Sequence, residues 1–313
     1  MSKSILTLTV NPAIDRIVTV DRLVFEDRAY IESTTEAAGG RGINAARVLT
    51  SFGASTIAIT ISAAREDGRR FEEALRKESF EKEIVKVSQK IRTNLTISDH
   101  QGLSVKLNEL GPKISQPEQN RLIKAVEKRL PEASWLMLCG SLPPSVDAHF
   151  YTKLIKLAAE HGVKTFMDTD GDALLHGLEG KPTLVKPNQS EAERLLNTPI
   201  ITRSHSIEAV RRIKGLGAEA VALSLGSRGI VAATGEGVFE AIPPAVHAVC
   251  PIGAGDAAAA AIVWSLDRGD SFSEALRWGV SAGTASSTLP GINLANLEQT
   301  EKIYARCTVT KIA

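Results

Sequence analysis

The residues best suited to chemistry are Cys250-Pro251-Ile252-Gly253-Ala254-Gly255-Asp256, followed at once by alanines at 257 to 261. Alanine is the strongest helix former, so a helix is expected to start close to Asp256 and run toward Leu266. Glycines just before a helix start let the backbone turn tightly. The first amides of such a helix have no partner inside it, and the helix dipole adds positive potential there. That end of a helix holds an anion well. Asp256 can take a proton from a hydroxyl while the amides of Ala254, Gly255 and Asp256 hold charge developing on a transferred phosphoryl group. The plain alternative is a turn followed by an acid at a helix start.

A second rich stretch is Ala38-Gly39-Gly40-Arg41-Gly42-Ile43-Asn44-Ala45-Ala46. Gly40, Gly42 and Ala45 fit the Gly-x-Gly-x-x-Ala spacing of a dinucleotide-binding turn. The context argues against it: the clear preceding strand ended near Val10, and Ser62-Ala63-Ala64 stands where an acid should end the next strand. A backbone that approaches a ligand closely fits better, with Asn44 offering its amide to hydroxyls. A plain glycine loop is the alternative.

Three further stretches and two acids lie where strands end. Cys139-Gly140-Ser141-Leu142-Pro143-Pro144 reads first as a turn made by Gly and Pro, although Ser141 can bond a ligand. Val185-Lys186-Pro187-Asn188-Gln189-Ser190-Glu191 fits a capping box, with Asn188 as N-cap and Glu191 at N3. Its functional reading puts Glu191 near a hydrated Mg²⁺, which favours carboxylate, water and substrate phosphate. Ser224-Leu225-Gly226-Ser227-Arg228-Gly229 is either a hairpin connection or a loop that holds a nucleotide. Asp168 ends its strand and can reach a metal or its waters, and Asp15 follows Asn11-Pro12 at the exit of the first strand. Each of these two acids can equally cap a turn.

The elements that must position these residues alternate. The N-terminal half reads as a strand at 4–10, strand-like pieces at 17–24 and 28–32, a helix at 43–52, a strand at 56–61 and a charged helix at 68–79. From Pro117 onward helices at 117–129, 147–161, 171–178, 189–196 and 205–215 alternate with strands at 135–139, 163–168, 183–185 and 219–224. Strands at 229–233 and 237–241 follow, then the Ala-rich helix and helices near 273–288 and 296–304. This predicts an α/β fold, a mostly parallel sheet with helices on both faces. Ligands in such folds sit at the carboxyl ends of the strands. Residues 91–108 differ: Ile91, Leu95 and Ile97 alternate with Arg92, Asn94 and Thr96. After a turn near Gln101-Gly102, Val105 and Leu107 alternate with Lys106 and Asn108. That is period two, a hairpin with one wet face. It is too thin for a core of its own, so with segment 12–36 it is expected to form a lid (residues 12–36 and 90–109) on a single domain spanning 1–313.

Bulk properties narrow the classes. The 313 residues carry 37 Lys+Arg against 36 Asp+Glu and a net charge of +1, with no long run of one sign. Neither nucleic acid nor a membrane surface is an expected partner. The three cysteines, Cys139, Cys250 and Cys307, have no metal or redox spacing, and the histidines look scattered. No signal peptide and no membrane-spanning stretch is apparent, so the cytoplasm is the expected location.

Together these stretches resemble the PfkB family of ribokinase-like sugar kinases, in its phosphosugar branch. The resemblance covers nearly the whole chain in order: Thr9-Val10-Asn11-Pro12-Ala13-Ile14-Asp15, Gly39 to Asn44, Lys106-Leu107-Asn108-Glu109, Gly140 to Pro144, Lys186 to Glu191, Ser224 to Gly226 and Gly253 to Asp256. It implies an ATP-dependent kinase of a ketohexose phosphate, with Mg²⁺, a ribokinase-like sheet, a β-lid and a homodimer through that lid. By resemblance Asp256 is the catalytic base, and Gly253, Ala254 and Gly255 form the anion hole. Lys186 and Asn188 serve the phosphates, and Glu191 the Mg²⁺. Ser224, Gly226 and Gly229 belong to the ATP loop. Asp15, Gly39, Gly40, Asn44 and Ser141 meet the sugar, and Arg92 and Lys106 meet its phosphate. Two departures stand out: Arg41 where the family usually has Lys, and Cys250-Pro251 where it usually has Ser or Asp then Thr. Proline removes one amide and cysteine donates poorly. Fructose 1-phosphate is the favoured substrate, ahead of tagatose 6-phosphate and fructose 6-phosphate. A kinase of an unphosphorylated sugar or nucleoside, and a non-catalytic sugar-phosphate-binding regulator, are the competing readings.

Overall fold

The computed structural model describes residues 3–24, 26–101 and 103–312. A sheet of ten strands runs through the molecule, in the order Thr308–Lys311, Val238–Ile242, Ile230–Ala233, Ala220–Ser224, Leu184–Val185, Lys164–Asp168, Ala133–Cys139, Ser4–Thr9, Thr56–Ala63, Glu81–Val87. From Ala220–Ser224 to the Glu81–Val87 edge all pairs are parallel; the three pairs at the other end are antiparallel. Ser4–Thr9 and Thr56–Ala63 are buried along their whole length, as strands covered on both faces must be. Successive side chains point to opposite faces, so Leu6, Leu136 and Leu138 join one buried cluster while Ile5, Trp135 and Met137 join the other.

The Ala-rich segment is the helix Ala254–Asp267, buried from Ala257 to Ser265. It packs against the helices Phe272–Ser287 and Arg41–Ser51. Its small side chains let those neighbours approach, while its amino end, from Gly253 to Asp256, stays half-buried or exposed.

Four strands form a second, small sheet in the order Ile31–Gly39, Ala13–Val20, Arg92–Asp99, Ser104–Asn108. Asp15 lies opposite Asn94, and Asn94 opposite Asn108, so these three share one face. The expected period-two hairpin is there. Its turn at Gln101–Gly102 includes Gly102, which lies outside the described residues. The expected strand-like pieces at 17–24 and 28–32 are displaced, and the second strand extends to Gly39. The helix begins at Arg41 rather than Ile43, because Gly40 alone makes the turn as its N-cap. Two strands had no counterpart in the sequence reading, Glu81–Val87 and Thr308–Lys311. Both lie at sheet edges, where half-exposed strands carry polar residues on the open side and blur the apolar signal. No helix among the described residues is long and apolar enough to cross a membrane.

Candidate active site

Parallel strands deliver their exits to one edge of the sheet. Ser4–Thr9 leads to Asn11, Ala133–Cys139 to Ser141, Lys164–Asp168 ends on Asp168, and Leu184–Val185 leads to Lys186. Asn11 donates to the Leu110 carbonyl (3.0 Å) and to Ser141 Oγ (3.4 Å). Lys186 Nζ sits 2.9 Å from Asp168 Oδ2, both side chains buried. Burial works against the Lys186 charge and the Asp168 carboxylate overrides it, so the ammonium is held above its usual range. Burial likewise opposes the Asp168 charge, and Lys186 and Arg41 outweigh it, so this carboxyl stays below its usual range.

Arg41 ties the acids together. Its guanidinium reaches Asp168 at 2.7 Å, Glu191 at 3.1 Å and Asp170 at 3.4 Å. Its fork is suited to several carboxylates at once, which a lysine ammonium is not. Glu191 also accepts from the Asn188 amide (2.8 Å) while Asn188 Oδ1 accepts from the Glu191 amide (2.9 Å). The capping box expected from sequence is therefore real, and it holds the Glu191 carboxylate in the cluster. Burial raises the Glu191 pKa in spite of Arg41.

The helix Ala254–Asp267 points its amino end at this cluster. Gly253 is its N-cap at φ 77°, and a Cβ there would come within 2.6 Å of the Leu294 side chain. The Ala254 amide makes a long bond to the Pro251 carbonyl (3.3 Å), and the first amide within the turn of the helix, that of Ala257, bonds Gly253. The Gly255 and Asp256 amides come before any intrahelical acceptor. Lys186 Nζ lies beside Gly255. Asp256, half-buried, accepts from Asn44 Nδ2 at 2.8 Å. Burial and then the Asp168 charge push its pKa up to about 6, against the pull of Asn44, Arg41 and Lys186. An acid that titrates close to neutrality beside a helix amino end suits proton abstraction.

The small sheet adds a second set. Asp15 Oδ1 accepts from Asn94 Nδ2 (2.8 Å), and burial raises its pKa against that bond and the Arg47 and Arg92 charges. A Cβ on Gly39 would overlap the Asp15 carboxylate, so a larger residue there would have to displace that side chain. Arg92 Nη1 donates to the Glu109 carbonyl, and burial lowers its pKa while Asp15 and Asp170 oppose that. Arg92 Nε, Asn94 Oδ1 and Asn11 Oδ1 are buried without a partner among the described residues. Such atoms are left for water or a bound group to complete.

Over residues 8–299 the chain matches the pfkB family of carbohydrate kinases. The chain belongs to that family. It is 27% identical to the 1-phosphofructokinase of Haemophilus influenzae, over 99% of both chains. It is 28% identical to a tagatose-6-phosphate kinase of Staphylococcus epidermidis, covering 98% of this chain and 100% of that one. The crystal structure of Escherichia coli phosphofructokinase-2 in complex with potassium superposes with a TM-score of 0.91 and 30% identity, covering 97% of this chain and 99% of that one. The expected α/β fold with its small second sheet is thus the PfkB fold, and the dinucleotide-turn reading of Gly40, Gly42 and Ala45 falls away.

In this PfkB chain the structure brings together Asn44, Lys186, Glu191, Asp256 and the turn before it, with Asp15, Gly39, Gly40, Arg92 and Ser141 on the side toward the small sheet. Ser224 pairs with Asn188, and its amide donates to the Pro187 carbonyl (3.0 Å), so the Ser224, Gly226 and Gly229 connection is tied to the Lys186–Glu191 stretch. It is also the hairpin connection that the sequence allowed, since Ile230–Ala233 runs back antiparallel. Lys106 does not join the group. It lies exposed opposite Thr96, about 13 Å along the strand from Arg92 at the usual rise per residue. Arg41 appeared in the sequence only as a departure, yet it is the hub of the cluster; Asp170 and Arg47 were not singled out. The signal for Arg47 was present, three residues after Asn44 on one helix face. The histidines are not all scattered. His149 and His176 stack at 4.0 Å between ring centres, and His176 Nδ1 lies 2.8 Å from Glu179, at the far end of the helix Gly171–Leu178 from Asp170.

Proposed function

We propose that this chain transfers the terminal phosphoryl group of ATP to a ketohexose phosphate, with fructose 1-phosphate giving fructose 1,6-bisphosphate as the leading reaction. The observation that carries it is Asp256: a carboxylate poised to titrate near pH 6 at a helix amino end, hydrogen-bonded by Asn44 and beside Lys186. Asp256 takes the proton of the attacking primary hydroxyl. The Gly253, Ala254 and Gly255 turn and Lys186 stabilise charge on the phosphoryl group in flight. Ser224, Gly226 and Gly229, with Asn188, hold the nucleotide. Asp15, Gly39, Gly40, Asn44 and Ser141 hold the sugar. Arg92, whose Nε lacks a partner, anchors the phosphate already on it, which leaves the free end at Asp256.

The donor set around Glu191 fits Mg²⁺ held through its waters. The carboxylate oxygens suit a hard cation, but Glu191 and Asp168 are already engaged by Arg41, Lys186 and the Asn188 amide. The ion, when bound with the nucleotide, neutralises phosphate charge. Arg41 holds Asp168, Asp170 and Glu191 as a group for it.

The small sheet serves as a lid that excludes water. Its other face carries Leu95, Ile97, Val105 and Leu107, of which Val105 is 39% and Leu107 54% exposed. An apolar face of this kind on a thin sheet supports a homodimer through the lid.

A coupled assay with fructose 1-phosphate, tagatose 6-phosphate, fructose 6-phosphate, fructose and a nucleoside tests the reading. Turnover highest with a phosphorylated ketohexose supports it, and preference for fructose 1-phosphate fixes the substrate. Preference for an unphosphorylated acceptor overturns the role of Arg92, and no phosphoryl transfer to any acceptor leaves the non-catalytic regulator standing.

A further inference from the structure

The base has a support that the reaction scheme above does not use. Asn44 and Arg47 lie three residues apart on the helix Arg41–Ser51. Arg47 Nη1 donates to Asn44 Oδ1 at 2.8 Å, and Asn44 Nδ2 donates to Asp256 Oδ2 at 2.8 Å. The guanidinium is fixed by two further bonds, Nε to Glu78 at 2.8 Å and Nη2 to the Ala38 carbonyl. Its side chain is 17% exposed.

A carboxamide has a donor end and an acceptor end of nearly the same shape. Arginine can only donate. The carbonyl end of Asn44 must therefore face Arg47, and the N–H end must face Asp256. We propose that Arg47 is a positioning residue that locks the polarity of the Asn44 amide, so that Asp256 always meets a donor and is kept as a base. This rests on the reading of Asp256 as the base.

The alternative orientation matters chemically. A flipped Asn44 presents its carbonyl to Asp256, and a carbonyl is satisfied only by a protonated carboxyl. A protonated Asp256 cannot take the substrate proton. An acid that already titrates close to neutrality is sensitive to that choice. Asp168, Arg41 and Lys186 also bear on Asp256, and Arg47 bonds none of them. Arg47 and Asn44 are thus the part of the surroundings that can invert.

The rear of Arg47 is open. A cavity of about 380 Å³ is lined by Arg47, Glu78, Ser79, Asn293 and Leu294. Truncating the guanidinium joins this space to Asn44 and admits water. Water donates and accepts equally well, so it satisfies the amide without fixing its direction. The same cavity wall touches the catalytic turn a second way, since Leu294 packs on Gly253.

The experiment is a double-mutant cycle on the full-length chain, with kcat and KM followed from pH 5 to 9. Arg47→Met is expected to lower kcat by about 10-fold, with KM changing less. It should move the acid limb of kcat/KM up by about half a pH unit or more, because loss of a bond to the ionised form raises a carboxyl pKa. In an Asn44→Ala background the same change should alter kcat less than about 2-fold, since there is no amide left to orient. Arg47→Lys, which keeps a cationic donor for Asn44, should regain most of the loss. Additive effects in the cycle, or an acid limb that stays in place, overturn the proposal. If thermal unfolding shows that Arg47→Met does not fold, the cycle is run with Arg47→Gln, whose amide can donate or accept and so fixes no polarity, under the same criteria, with Arg47→Lys kept as the rescue. Asp256→Asn separates the two readings. Near-normal turnover in that variant removes the base itself, whereas its collapse alongside an unaffected Arg47→Met sinks only the lock.

Discussion

Two regions meet at the site and are built differently. At the ends of the large sheet the charges are paired with each other: buried Lys186 with buried Asp168, and half-buried Arg41 with Asp168, Asp170 and the buried Glu191. On the small sheet, Asp15, Asn94 and Arg92 are half-buried, and Asn94 Oδ1 and Arg92 Nε have no partner among the described residues. The ion pairs of the first region are formed before anything binds. The second is completed by its ligand. Catalytic power and substrate choice are therefore expected to separate by region: variants of the first should damage turnover, and stability too where they break an ion pair, and variants of the second should damage affinity.

The comparison is broken most directly at Lys186. Lys186→Met leaves Asp168 short of a partner in a buried place, and is expected to lower stability by about 3–5 kcal/mol in urea unfolding. A loss under about 1 kcal/mol would mean that the pair is not a closed unit. Next comes Asp256→Asn, expected to lower kcat at least ~100-fold with folding intact. The same substitution should raise Tm at pH 8. The folded pKa of about 6 lies above the ordinary value of 3.8, so above pH 6 the folded protein holds an ionised carboxylate against its preference. Removing that charge relieves the penalty, and a Tm lowered at pH 8 would contradict the assignment. On the small sheet, Arg92→Ala should raise KM for the phosphosugar about 10- to 100-fold and leave kcat within about 3-fold. A change in kcat alone would place Arg92 with the catalytic region. Smaller is the pH effect in the unaltered protein: kcat/KM should fall about tenfold per unit below pH 6 as Asp256 takes up a proton. The smallest effect is expected at Leu107→Glu, which should leave the stability of the monomer almost unchanged and weaken self-association in sedimentation. A variant that sediments like the parent would place any dimer contact off the lid.

Much of the large-sheet region was legible in the sequence because its signals are local. The Ala run after Gly253-Ala254-Gly255-Asp256 declares a helix start, and Asn188 with Glu191 declares a cap. Both are where the sequence put them. The period-two pattern around Arg92 and Asn94 likewise declares a sheet with two unlike faces. The edge strands Glu81–Val87 and Thr308–Lys311 were not legible, since a short strand with an open side has no continuous apolar run. Nor was the true place of Lys106, because alternation fixes the face of a residue but not its distance from a site elsewhere.

By itself the sequence determined most of the elements, the glycine turn before the Ala-rich helix and the acid that follows it, because these depend on residues within a few positions of one another. Only the tertiary structure decided the charge network. Arg41 and Asp168 are 127 positions apart, and Asn44 and Asp256 are 212 apart. No local rule relates such residues. Parallel strands bring their exits to one edge, and burial there makes each charge depend on the others. That is why Arg41, a mere departure in the sequence, becomes the centre of the acid cluster, and why Asp256 titrates near 6 rather than 3.8.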